Sequence, residues 1–90
     1  MKKYLIEREI PGVHTLGAGE LCGAAAKSNE ALAQLAPRGQ WVQSYVTPDK
    51  TFCVYLAENE DVVREHARIS GFPANRISEV TGMIDPTTAG

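Results

Sequence analysis

WVQSYVTPDKTFCVYLA, residues 41–57, is the stretch on which the fold turns. It reads as two strands rich in β-branched and aromatic residues that fold back at Thr47-Pro48-Asp49-Lys50, where proline and aspartate supply turn chemistry. Along the second strand Cys53 and Tyr55 alternate with Phe52, Val54 and Leu56. A side-chain period of two puts the two sets on opposite faces, and the wholly apolar trio is expected beneath helices. Cys53 and Tyr55 are then expected on an open face. The hairpin leaves two registers. A two-residue loop pairs Ser44 with Cys53 and brings it to that face. A three-residue loop, with a bulge at Lys50, brings Trp41 and Tyr45 instead, because a shift of one residue flips a strand.

Outward from the hairpin, Lys3 to Ile10 alternates as a strand, with Tyr4, Ile6, Arg8 and Ile10 on one side and Leu5, Glu7 and Glu9 on the other. Pro11-Gly12 ends it. A helix is expected over 18–35, with Gly17 as N-cap, Glu20 as half of a capping box and an apolar stripe of Leu21, Ala25, Leu32 and Leu35 broken by Ser28. Ala24, Ala25 and Ala26 suit a close approach to a sheet. A second helix is expected over 60–70, capped by Asn59, favoured by Glu60 and Asp61 at its positive end, and stopped by Gly71 and Pro73. Its inner face is Val62, Val63, His66, Ala67 and Ser70. Residues 75–84 read as a last strand and 85–90 as a loose tail. The order β-α-β-β-α-β is the ferredoxin-like α+β arrangement: one domain over 1–90, a four-stranded antiparallel sheet, both helices on one face, and the first and third strands central. Glu7, Glu9, Cys53 and Tyr55 are thereby expected to cluster on the open face.

Ninety residues with a formal charge of −2, from nine basic and eleven acidic residues, describe an ordinary globular domain. Basic residues form no stripe, which argues against nucleic acid as a partner. No apolar run approaches the ~20 residues of a bilayer span. MKKYLIERE turns charged after three residues and so has no secretory core; a cytoplasmic location is expected. The two cysteines lack metal-ribbon spacing and are expected to be free thiols. A chain of this size buries only about 60–65% of its unfolded surface, so an open sheet face favours a homodimer.

Several side chains could carry chemistry. Glu7 and Glu9 lie on one strand face roughly 6.5–7 Å apart, a spacing that suits a divalent cation, a shared proton or ordinary salt bridges. His66 is the one histidine on the inner side of a helix, where packing and ligation are both open to it. Cys53 could be a soft ligand or a small packed thiol. Tyr55, with Tyr45 or Trp41 according to register, could wall a ligand pocket or fill a core. The segment after the second helix, Gly71-Phe72-Pro73-Ala74-Asn75-Arg76, returns Phe72 to the core and has no glycine spacing for phosphate.

These residues also carry a resemblance. Glu7-Arg8-Glu9 with Pro11-Gly12, W-V-x-S-Y-V-T-x-D-K-x-F-C-V-Y at Trp41–Tyr55, R-E-H-A-R-x-x-G-F-P-A-N-R-I-S-E-V at Arg64–Val80 and D-P-T-T at Asp85–Thr88 resemble a family of small bacterial nickel-binding, ferredoxin-like proteins, formerly a domain of unknown function. The resemblance implies nickel as cofactor and a dimer, and carries no implication of catalysis. Ligands follow from chemistry instead: nickel(II) accepts imidazole, carboxylate, thiolate and water, which makes His66, Glu7, Glu9, Cys53 and Glu79 the candidates. The competing expectations are a cofactor-independent dimeric oxygenase or isomerase acting on a small apolar substrate, with Glu7 as base and Tyr55 as acid, and a module whose open face only dimerises.

Overall fold

Antiparallel pairing determines which side chains the helices cover. The structure, a computed structural model, describes residues 1–90. It consists of β1 (Lys2–Glu9), α1 (Ala18–Leu35), β2 (Gly39–Val46), β3 (Lys50–Ala57), α2 (Glu60–Ser70) and β4 (Arg76–Val80), with short 3-10 turns at Val13–Thr15 and Pro86–Ala89. The strands form one antiparallel sheet in the order β2-β3-β1-β4. The core joins Tyr4 and Ile6 of β1 and Cys53, Tyr55 and Ala57 of β3 to Leu35 of α1 and Val62 and Val63 of α2, so both helices cover one face, as in ferredoxin-like domains.

Tyr4 lies opposite Tyr55 and Ile6 opposite Cys53. Directly opposed residues share a face, so Cys53 and Tyr55 sit beneath the helices, each only 5% exposed. Phe52, Val54 and Leu56 lie with Leu5 and Glu7 on the open face and are half-buried. This reverses the face expected for β3. Both of its faces are apolar, so alternation alone has no sign. The helix side went to the strand face with the smaller residues, Cys53 and Ala57, and there the Tyr55 hydroxyl finds a partner in Ser28. Close approach shows again at Gly39, where a Cβ would come 3.2 Å from Val62 Cγ1.

The hairpin combines features of both registers. The Thr47 N–H donates to the Lys50 carbonyl at 2.9 Å and closes a two-residue Pro48-Asp49 loop, so Ser44 opposes Cys53. An extra residue, Val42, then interrupts the ladder between Trp41 and Gln43, and this bulge returns Trp41 to the same face, opposite Tyr55. Tyr45 goes to the open face opposite Phe52.

Helix α1 turns Ser28, Ala31 and Leu35 inward and leaves Leu21 exposed. Ser28 is therefore part of the inner face rather than a break in it. Gly17 is the N-cap, without a side-chain cap bond. For α2, the Asn59 side chain accepts from the Val62 N–H at 3.1 Å, and Gly71 ends the helix at φ 77°, a left-handed conformation that glycine adopts without strain. The last strand is shorter than 75–84. Its pairing ends where Val80 meets Lys3, near the start of β1, and residues 81–84 are exposed without a ladder partner. Beyond them Asp85 accepts from the Thr87 N–H at 2.9 Å and caps the exposed final turn. No helix is long and apolar enough to cross a membrane.

Ile6 is fully buried at the centre of this arrangement. Ile6→Ala leaves a cavity that the paired strands are poorly placed to close, and is expected to cost about 2–5 kcal/mol, read as a lower urea midpoint with an unchanged denaturant slope.

Candidate functional site

Between α1, the helix-covered ends of β1–β3 and the coil after α2 lies a cleft of about 630 Å³. Apolar residues dominate its walls, among them Val13, Leu16, Leu21 and Trp41. Its polar lining is sparse: Arg8, Ser28, Ser44, Thr51, Cys53 and Tyr55, with Glu9 bordering the rim. Such a cleft, apolar with a few convergent polar groups, is the usual form of a small-ligand site.

Arg8 is the unusual member. Strand alternation that buries Tyr4 and Ile6 buries Arg8 as well, leaving it 3% exposed. Its Nη1 donates to the Pro73 carbonyl at 2.8 Å, and its Nη2 has no partner. The guanidinium carbon lies 5.9 Å from the Tyr55 ring centroid and 6.0 Å from that of Phe72, within cation–π range. No carboxylate is bonded to it. The coil that holds Pro73 is itself tied to β1: the Asn75 N–H donates to the Glu7 carbonyl at 2.9 Å and the Asn75 side chain accepts from the Glu9 N–H at 2.7 Å.

Behind the cleft Ser28 bridges two rings. Its Oγ lies 3.1 Å from the Tyr55 hydroxyl and 3.1 Å from His66 Nε2, and the Tyr55 and His66 rings are 4.9 Å apart. The other imidazole nitrogen, Nδ1, is buried without a partner. Burial first, and the charge of Arg8 second, hold the His66 imidazole at about 4 against the ordinary 6.5, with a hydrogen bond to the Ser28 backbone opposing. The ring is therefore neutral at neutral pH. Burial also raises the Tyr55 hydroxyl, opposed by its Ser28 bond and by Arg8, so Tyr55 remains a phenol. If Tyr55 donates to Ser28 and Ser28 to His66, Nδ1 carries the proton; if the chain runs the other way, Nδ1 presents a lone pair. A serine beside a histidine suggests a nucleophile and base, but no carboxylate orients the ring, so the third member of that arrangement is missing.

The five ligand candidates are dispersed. Glu7 lies on the open face between Lys50 Nζ and Arg76 Nε, each 3.8 Å away. Glu9 is exposed, and Glu79 is on the edge strand, 3.6 Å from Lys2 Nζ. Cys53 and His66 are both on the helix layer, the thiol 3.5 Å from Thr51 Oγ1. No three His, Cys, Asp or Glu side chains converge in one copy. The expected open-face cluster of Glu7 and Glu9 with Cys53 and Tyr55 is thus divided by the sheet itself. Of the aromatic candidates Trp41 and Tyr55 meet in the cleft, their rings stacked at 6.5 Å, while Tyr45 is on the opposite face. Both cysteines are free, Cys22 exposed and Cys53 buried. Reading the chain as a sequence overlooked Arg8 and Ser28 as site residues. The available signal was the parity of Arg8 with Tyr4 and Ile6.

Residues 4–80 match the family described as nickel responsive protein, SCO4226-like. The chain belongs to this SCO4226-like family. The family's fold is visible in the crystal structure of SCO4226 from Streptomyces coelicolor A3(2), similar at a TM-score of 0.76 over 91% of this chain and 99% of that one. At 14% identity that likeness shows a shared fold and nothing about side chains. No curated protein matches the chain.

The depressed His66 has a consequence for stability. The unfolded chain takes up this proton near 6.5 and the folded chain only near 4. Between those values the unfolded state binds more protons, so stability falls as the pH is lowered. The contribution is complete above 6.5, lost by about 4, and on the order of 3 kcal/mol. His66→Gln is expected to flatten this part of the stability profile, measured by urea unfolding across the same window. An unchanged slope would contradict the assignment.

Proposed function

We propose that this chain is a non-enzymatic nickel-binding protein that acts as a homodimer in the cytoplasm and sequesters or delivers the metal. The observation that carries this reading is membership, over residues 4–80, of a family described as nickel responsive. Two features of the chain support it. The first is His66, a neutral imidazole with an unpartnered ring nitrogen, which is the protonation state that nickel(II) requires of a histidine ligand. The second is the open sheet face, where Leu5, Phe52, Val54 and Leu56 are half-buried in one copy and Tyr45 is 55% exposed. A second copy on that face would remove this apolar area from water.

One copy does not assemble three protein donors, and a second copy on the open face lies across the sheet from His66, so the coordination of His66 would be completed by water. Cys53 shares the helix layer with His66 and would lose its thiol proton on ligation. Glu7 and Glu9 form an alternative pair on the open face, where a cation must first displace Lys50 and Arg76 from Glu7. Glu79, already paired with Lys2 at the edge, is the weakest of the five.

A second reading is a cofactor-independent oxygenase or isomerase acting on a small apolar substrate. It is favoured by the Tyr55 and Ser28 hydroxyls bordering an apolar cleft. Glu7 lies on the other face, which leaves His66 as the base. Turnover of a carbonyl or quinone-like substrate with a bell-shaped pH profile would sustain this reading.

Isothermal titration with nickel, zinc, cobalt and copper decides between the readings. Nickel is expected to bind more tightly than about 1 mM, to weaken in acid, and to lose about tenfold or more in affinity in His66→Ala. Unchanged affinity in that variant moves the site to Glu7 and Glu9, testable with Glu7→Gln. No binding of any of the four metals would end the nickel reading. Light scattering that gives a monomer mass at working concentration would remove the dimer.

A further inference from the structure

We infer that the cleft beneath α1 is a binding site for a small monocarboxylate with an apolar, aryl-bearing body, its carboxylate received by Arg8. The inference is independent of the nickel reading and involves no metal.

A guanidinium that is 3% exposed and bonded through one nitrogen only is costly unless something else balances it. Within this chain the balance is partial. The Pro73 carbonyl takes one donor, and the rings of Tyr55 and Phe72 offer their faces. No acidic side chain pairs with Arg8. Glu9 borders the cleft only at its exposed rim, and the Glu7 carboxylate is across the sheet, held by Lys50 and Arg76. The remaining positive group nearby is Lys27, whose Nζ is 5.5 Å from the Phe72 ring centroid. The site therefore carries uncompensated positive charge at the wall of a cavity that is otherwise apolar.

Arginine in such a setting selects a planar anion, because its donors match two carboxylate oxygens in fixed geometry. The cavity, at about 630 Å³, is within the range of small-molecule sites. Trp41, Tyr55 and Phe72 offer aromatic surface for the body of the ligand, whereas an inorganic anion would leave that surface uncovered. The half-buried Phe72 ring, on the coil between α2 and β4, has its centroid 6.0 Å from the Arg8 guanidinium carbon; Nη2 is itself buried, so a carboxylate reaches it only when the side chains covering it move.

The test uses the whole protein with a chelator present and four probes: 3-phenylpropionate, its alcohol, its amine, and acetate. The carboxylate is expected to bind at least about tenfold more tightly than the alcohol, the amine not at all, and acetate far more weakly, because a charge-assisted pair adds one factor of ten or more and the ring adds its own burial. NMR is expected to show shifts at Trp41, Ser28 and Tyr55 on saturation. Arg8→Met is expected to abolish the preference for carboxylate over alcohol. If that variant does not fold, the charge series on the unaltered protein decides by itself. Equal binding of alcohol and carboxylate, acetate as tight as phenylpropionate, or no response to carboxylate at about 10 mM would each overturn the inference.

Discussion

The pairing of β1 with β3 is the constraint from which the rest of this molecule follows. With Tyr4 opposite Tyr55 and Ile6 opposite Cys53, the central pair of strands presents one set of side chains to the helices and leaves the other on the open face. No later element can undo that division. It buries Arg8, because Arg8 shares parity with Ile6, and it removes Glu7 from every group on the helix side. The helices then pack on the face whose small residues admit them. The polar groups trapped there, Ser28, Tyr55 and His66, satisfy one another as far as they can.

That satisfaction is incomplete in two places, Arg8 Nη2 and His66 Nδ1, and both border the same region. A buried polar atom without a partner costs free energy, and natural cores keep few of them. Here they are electrostatically linked: the charge of Arg8 helps keep His66 neutral, and a neutral His66 leaves Arg8 the only charged group among the buried residues. Any anion, proton or metal ion arriving at one of the two changes conditions at the other. The helix-covered side of the sheet is therefore the chemically responsive side, while the open face holds an ion-paired Glu7 amid half-buried apolar residues.

The fold was legible in the sequence because its signals are local and redundant. Asn59 and Gly71 bracket α2, the turn residues Pro48-Asp49 sit between two β-rich runs, and the order of elements points to one known arrangement. The site was far less legible. β3 is apolar on both faces, so no count of hydrophobic residues could say which face the helices take. The answer depends on the small volumes of Cys53 and Ala57 and on a hydroxyl partner for Tyr55 that lies 27 residues away in the chain, in Ser28. The Val42 bulge is likewise invisible to a strict period of two, yet it decides that Trp41 and Ser44 share a face. Ser28 looked like a flaw in an apolar stripe because periodicity rewards apolar atoms and is blind to a hydroxyl that bridges two rings.

A nickel-linked role and a carboxylate-binding cleft are compatible in one small domain for a physical reason. A copy of this chain offers hard and borderline donors in separate places and never three together, so a metal site built from it depends on assembly or on solvent. A guanidinium, by contrast, requires no assembly, because its charge is permanent and its cavity is formed by one copy alone. A carboxylate held near Arg8 would bring negative oxygen atoms to the same side of the sheet as His66 and Cys53, the buried imidazole and the buried thiol. Whether metal and anion then assist or exclude each other is a matter of their separation in the cleft, since opposite charges attract strongly only where water is kept out. The fold supplies that dry setting on the helix side and withholds it on the open face, where Glu7 keeps its two cationic neighbours and is a quarter exposed.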